Sequence, residues 1–125
     1  MKKQRKKDKK IHSLTGFTKQ NRETARILVE NKISYFNKFY KFNINRIAIK
    51  NQRRRWGSCS SKANLNFNYK IIFLESQFAD YLIVHELCHL KEFNHSKKFW
   101  NLVEKTIPDY KTINQRLRKL PINLI

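Results

Sequence analysis

The sequence is poor in cysteine, glycine, proline and long apolar runs. Its 125 residues include only 2 Cys, 2 Gly and 2 Pro. Two cysteines, Cys59 and Cys88, are too few for the disulfide framework of a small secreted protein. No stretch approaches the roughly 20 apolar residues of a membrane-spanning helix. No apolar run follows the basic start MKKQRKKDKK to form a signal peptide. A cytoplasmic, reducing environment is therefore expected.

Acidic residues are also scarce, with 9 Asp+Glu against 28 Lys+Arg and a formal net charge of +19. Such a charge attracts polyanions in a salt-dependent, sequence-independent way, so nucleic acid is one candidate partner. Part of the excess lies in residues 1–15, which are predicted to be a disordered basic tail. The 40% of hydrophobic residues are enough for a core, and residues 16–125 are predicted to form one domain.

The first half of that domain reads as one helix followed by strands. Apolar residues recur at three-to-four spacing over residues 18–42, which predicts an amphipathic helix. The alternation in INRIAIK predicts a strand, and RWGSCSS a second. In ANLNFNYKIIFL, Leu65, Phe67 and Tyr69 share one side of a third strand, and SSKAN is the expected turn before it. We expect these strands to form a small antiparallel sheet.

The second half reads as three helices, so the predicted fold class is α+β. Ser76 is placed to cap a helix over residues 77–93 that is apolar nearly all round and therefore buried. Ser96 is placed to cap the next, which Pro108 ends, and a last short helix precedes Pro121.

The segment HELCHLKEFNH, residues 85–95, holds three of the four histidines. On a helix His85 and His89 differ in direction by about 40°, so both imidazoles can reach one cation. Glu86 points about 100° to the side, out of the ligand set but near a water at an open position, as a general base requires. This pattern predicts one catalytic Zn²⁺ ion, because an ionised carboxylate in such an apolar helix needs a compensating charge.

A third zinc ligand is expected from His95, which lies six residues beyond His89. The chain must turn there, and asparagine tolerates the left-handed conformation that ends helices. We therefore predict a positive φ at Asn94 or an adjacent residue. The fourth histidine, His12, lies in the basic tail and is expected to be a bystander.

Other interpretations of these residues remain open. The histidines could be core residues without a metal, although a chance HExxH followed by a correctly spaced third histidine is improbable with four His and six Glu. Cys59 and Cys88 could join two histidines in a closed structural zinc site, although Cys88 projects away from His85. The chain could also be a nucleic-acid-binding module with a structural zinc, or a protease recruited to DNA.

The combination of RWGSCSSKANLNFNYKIIF, DYLIVHELCHLKEFNHSKKFW and PDYK resembles the YgjP-like zinc metallopeptidases, which are similar to the SprT-like and WLM metalloproteases of the zincin superfamily. The resemblance covers about residues 44–111. It implies a minimal zincin-like domain with His85, His89 and His95 as zinc ligands and Glu86 as base. It also implies that a sheet edge, RWGSC or LNFN, pairs with an extended peptide substrate. The only methionine is Met1, so the Met-turn of the metzincins is excluded.

The resulting hypothesis is a zinc-dependent metallopeptidase acting on a peptide or protein substrate. Arg55, Trp56 and Gly57 are candidates for substrate binding, although Trp56 also fits a core position and Arg55 a solvated run of arginines. Tyr110, or an arginine among residues 53–55, is the candidate oxyanion donor. Phe99 and Trp100 are expected to pack the last helices against the catalytic one.

Overall fold

A computed structural model describes residues 14–122. The first long element is helix α1, Lys19–Tyr40. The Thr18 side chain accepts a hydrogen bond from the Asn21 backbone N–H (3.0 Å) and so caps its start. Lys41 closes the helix in the left-handed conformation, with φ 58°. These bounds agree with the helix predicted over residues 18–42. The proposed basic tail lies largely outside the described residues.

Three strands follow: β1, Arg46–Lys50; β2, Gly57–Cys59; and β3, Asn64–Asn68. Their order is β1-β3-β2, with β3 parallel to β1 and antiparallel to β2. The expected antiparallel sheet is therefore wrong, and the sheet is mixed. The prediction assumed that successive strands pair, whereas the six-residue link after β1 carries the chain past the position that β3 later fills.

The apolar run after β3 leaves the sheet instead of extending it. It forms a 3-10 helix, Tyr69–Phe73. Asn68 caps this turn, because its side-chain oxygen accepts from the Lys70 backbone N–H (3.1 Å). Leu65, Phe67 and Tyr69 are buried, as their predicted common side requires.

Helix α2, Ser76–His89, is the central element of the fold. It packs against α1, β2, α3 (Lys97–Glu104) and α4 (Tyr110–Arg118). Ten of its 14 residues are buried, which agrees with its apolar sequence. Ser96 caps α3 as predicted, accepting from the Phe99 backbone N–H (3.4 Å). Ser76 does not cap α2, because it is already the first helical residue and Glu75 holds the cap position without a side-chain bond.

The α+β class predicted from the sequence is thus present, with α2 enclosed on several sides. In the part of the chain that the structure describes, no helix combines the length and apolar character needed to cross a membrane.

Candidate active site and metal centre

The three histidines of the motif converge on one point. The distance between the Nε2 atoms is 3.2 Å for His85 and His89, 3.0 Å for His89 and His95, and 3.2 Å for His85 and His95. Within residues 14–122 they are the only group of three or more His, Cys, Asp or Glu with ligand atoms close enough to share an ion. His85 and His89 come from the last turns of α2, and His95 comes from the segment that leads into α3.

The outer nitrogens of two imidazoles already have partners. His89 Nδ1 lies 3.0 Å from the Glu92 carbonyl oxygen, to which it donates. His85 Nδ1 lies 3.2 Å from the Tyr81 hydroxyl. A proton on Nδ1 leaves the Nε2 lone pair free for a cation, and such partners fix both the tautomer and the ring orientation of metal-binding histidines. Sequence reasoning missed Tyr81, although its position one helical turn before His85 was an available signal.

Aromatic rings of α3 hold the imidazoles from behind. The Phe99 ring stacks on His89 with ring centroids 4.4 Å apart, and the Trp100 ring stacks on His95 at 5.8 Å. Phe99 is fully buried. The two residues therefore join α3 to the end of α2, as predicted, and they restrict how far His89 and His95 can rotate.

The turn that brings His95 to the site does not use a left-handed residue. Among the described residues only Lys41 and Ala63 combine a side chain with positive φ, so the prediction for Asn94 and its neighbours is wrong. Helix α2 instead ends in a tight turn in which the Glu92 backbone N–H donates to the Cys88 carbonyl (3.0 Å). The hydrogen bond from His89 to the Glu92 carbonyl also holds this turn. The chain therefore reverses toward His95 without a residue of positive φ.

The histidine cluster is suited to a cation by both charge state and spacing. Burial, followed by the neighbouring His89 and His95, lowers the pKa of His85 to about 3, and burial also lowers the pKa of His89. Both imidazoles are therefore neutral near pH 7, which is the form that binds metals. Nitrogens bound to a tetrahedral zinc at about 2.0–2.1 Å lie about 3.3–3.4 Å apart, close to the separations seen here.

The Glu86 carboxyl lies beside this cluster and is only 5% exposed. Burial raises its pKa to about 8, and the positive charge of Arg55 opposes the rise. A nearby divalent cation would add a much stronger preference for the ionised form, because opposite charge stabilises a buried carboxylate. Binding of a cation would therefore favour loss of the proton from this buried acid.

Gly57 at the start of β2 allows Glu86 to approach the sheet closely. A Cβ atom at Gly57 would lie 3.1 Å from Glu86 Oε2, 3.2 Å from Glu86 Cγ and 3.0 Å from the Asn66 backbone oxygen. The strand cannot retreat on the Asn66 side, because that oxygen belongs to the neighbouring strand β3. The carboxyl would have to move, so Gly57 is a positioning residue for Glu86.

Replacing Gly57 with alanine should displace the Glu86 carboxyl by a few tenths of an ångström. We expect kcat for peptide cleavage to fall by about tenfold or more, because small misplacements of a reacting group are costly. Metal content should stay at the wild-type level. Lys62→Ala is the control, because Lys62 is an exposed residue of the turn before β3 that does not line the groove. Equal activities of the two variants would contradict this role.

A groove runs between β2 and the histidine cluster, with a volume of about 330 Å³. Arg55 and Gly57 line it, and Trp56 lines an adjoining cavity while packing partly against the core. Tyr110 is not among the residues that line the groove. Its ring stacks on Trp100 with centroids 5.0 Å apart.

A buried asparagine holds the arginine-rich loop beside the groove. The Asn68 amide donates to the backbone carbonyls of Gln52 (2.7 Å) and Arg55 (3.0 Å), and Asn68 is fully buried. The loop before β2 is therefore attached to β3, which places Arg55 next to Glu86. The sequence does not reveal this, because Asn68 alternates with Phe67 and Tyr69 and so shares a strand side with Asn64 and Asn66.

The cysteines do not join the histidine cluster. Cys88 is fully buried on α2, and its thiol interacts with the Tyr40 side chain. Cys59 lines the groove, and its thiol lies 3.6 Å from the Ser60 carbonyl oxygen. A closed zinc site with two thiolates therefore has no support in the described part of the chain.

Comparison with known proteins identifies the family. The model of the YgjP-like metallopeptidase domain family matches residues 1–120. The metallopeptidase zymogen abylysin of Pyrococcus abyssi has a similar structure, with TM-score 0.65 and 26% identity over 71% of this chain and 90% of that chain. The zymogen jannalysin of Methanocaldococcus jannaschii gives 0.64 and 23% over 78% and 97%.

The Wss1 mutant of Saccharomyces cerevisiae gives a TM-score of 0.60 and 20% identity over 80% of this chain and 86% of that chain. A search of curated proteins found no match. Because the identities to jannalysin and Wss1 are this low, these two similarities show a common fold and nothing more. The family match covers nearly the whole chain, including the helix that carries the histidines and Glu86. The chain belongs to the YgjP-like metallopeptidase domain family and is a metallopeptidase.

Proposed function

We propose that the metal is zinc, that one ion is bound, and that His85, His89 and His95 are its ligands. The observation that carries this proposal is the convergence of three Nε2 atoms within 3.0–3.2 Å of one another. The outer nitrogens of His85 and His89 are engaged by Tyr81 and Glu92, so the inner lone pairs are available. Three imidazoles with a remaining open position are typical of catalytic rather than structural zinc.

Bound zinc supplies Lewis acidity, which makes a nearby water more acidic and polarises a substrate carbonyl. Glu86 is the proposed general base. Its carboxylate takes a proton from the attacking water and later passes it to the leaving amine. Glu86 and the exposed Arg55 both line the groove. Of the predicted oxyanion donors, Arg55 therefore has better geometric support than Tyr110.

We infer that the substrate peptide binds in extended form along β2. Strand β3 lies in the middle of the sheet, so LNFN is not an edge, whereas RWGSC ends in the edge strand β2. Gly57 and Ser58 of β2 line the groove that contains Glu86. An added strand there would present its backbone carbonyls to the reacting groups.

Removal of the metal is the first test. Dialysis against a chelator should abolish cleavage of a denatured protein substrate, and one equivalent of Zn²⁺ should restore it. Elemental analysis should find about one zinc per chain in active protein. Activity that survives in metal-free protein would sink the proposal. Cleavage restored only by another ion would show that zinc is the wrong metal.

Two expectations from composition stay predictions. The prediction that the protein binds nucleic acid rests only on the net charge of +19. Measuring nucleic acid affinity over a series of salt concentrations, with and without the basic tail, would test it. The prediction of a cytoplasmic location rests on the free thiols of Cys59 and Cys88, which suit a reducing compartment.

A further inference from the structure

A cavity of about 300 Å³ adjoins the groove, and the two share Gly57, His85 and Glu86. Much of its lining is apolar, including Trp56 and Leu82. A cavity at the small end of the range for ligand sites suits a single side chain better than a larger molecule. Because it opens beside the general base, it is placed to receive a residue next to the bond that is cut.

Helix α4 gives this cavity a polar, positively charged part. Asn114 and Arg118 both line it and lie one turn apart on α4, so their side chains share one face of the helix. Leu117, on the same side, is buried against the core and fixes how this face meets the cavity. The amide and the guanidinium therefore line the cavity together.

The Arg118 guanidinium has no carboxylate partner among residues 14–122. The ion pairs in that range join Arg26 to acidic residues of its own helix, and Lys32 to Asp80. Among the described residues that line the cavity, Glu86 is the only acid, and its proposed role is proton transfer.

We propose that this cavity binds a carboxylate of the substrate, with Arg118 as its ion-pair partner and Asn114 as an additional donor. The inference rests on the proposed function and names its substrate class: peptides that present an acidic side chain, or a chain-terminal carboxylate, beside the cut bond. A guanidinium matches a carboxylate with two parallel hydrogen bonds, which gives orientation as well as affinity.

Binding to zinc-loaded Glu86→Gln protein tests the proposal without turnover. The probes are blocked decapeptides that differ only in having Glu, Gln or Lys scanned through the four central positions. A second pair ends in either a free carboxylate or an amide. By isothermal titration calorimetry, a carboxylate at the correct position should tighten binding by about tenfold or more. A gain in the scanned set identifies a side chain as the source, and a gain in the second pair identifies the chain terminus.

Two leucine variants distinguish binding of the carboxylate in the cavity from attraction by the overall positive charge of the protein. Arg118→Leu, made in the Glu86→Gln protein, should remove the carboxylate preference. Lys119→Leu also removes one positive charge, but Lys119 does not line the cavity, so this variant should retain the preference for a carboxylate. Equal binding of the Glu and Gln peptides, no binding of any peptide, or the same loss in both leucine variants would overturn the inference.

A cleavage measurement distinguishes failure of the inference from failure of the proposed function. Wild-type protein with zinc should cut the carboxylate-bearing peptides fastest, and Arg118→Leu should lower their kcat/KM by about tenfold while leaving the Gln peptides unchanged. Cleavage without this preference rejects the cavity assignment alone. A wild-type protein that cuts no peptide rejects the proposed function, and the binding series then decides the cavity assignment by itself.

Discussion

Glu86→Gln is expected to lower the rate of peptide cleavage by about 10²–10⁴-fold while the protein keeps its zinc. The amide occupies nearly the same volume as the carboxyl, so the close approach to Gly57 should be preserved. It cannot take a proton from water, and this loss affects the chemical step rather than metal or substrate binding. The measurement is kcat on a denatured protein substrate, with elemental analysis of the same samples.

Glu104→Gln is the matched control, because Glu104 is an exposed residue of α3 that does not line the groove. It should have wild-type activity. Loss of zinc in the Glu86→Gln protein would mean that the carboxyl is a ligand, and retained activity would mean that another group is the base. Either result would require a different mechanism.

The second large effect is expected at the third histidine. His95→Ala should weaken zinc binding by at least about 100-fold, more than the loss of an outer-sphere partner, because one of three donor nitrogens disappears. The change is well suited to a test because His95 is exposed and contributes little to the core. Competition with a chelator of known affinity gives the dissociation constant, and circular dichroism checks that the fold remains.

His85→Ala and His89→Ala should show losses of similar size, although these residues are more buried and their variants are also expected to be less stable. His12→Ala is the control for histidine content and should bind zinc as wild type does. Stoichiometric zinc held tightly after the loss of His95 would refute the three-histidine site and point to a different third ligand.

The parts of this site that the sequence could predict are those set by local geometry. His85 and His89 share a helix face because helices repeat every 3.6 residues, and Glu86 follows from the same rule. The capping of α3 by Ser96 and the burial of α2 are likewise encoded in short segments. These features involve residues within about one or two turns of each other, where the backbone conformation leaves few alternatives.

The features that escaped prediction depend on contacts between distant parts of the chain. Strand β3 lies between β1 and β2, and the sequence of β1 does not indicate which strand will pair with it. Asn68 has the same strand setting in the sequence as Asn64 and Asn66, yet it donates to two backbone carbonyls of a loop about 15 residues earlier. The same holds for the cavity beside Glu86, because Arg118 reaches it only once α4 has packed against α2.

Strand β2 is only three residues long, Gly57–Cys59. An edge of this length exposes few unpaired N–H and C=O groups, so two copies of the protein gain little by joining side by side, and aggregation is discouraged. For the same reason it provides too few bonds to pull a strand out of a stable neighbouring sheet. If the substrate pairs with β2 as proposed, the expected targets are therefore stretches without regular structure, such as loops, termini or unfolded chains.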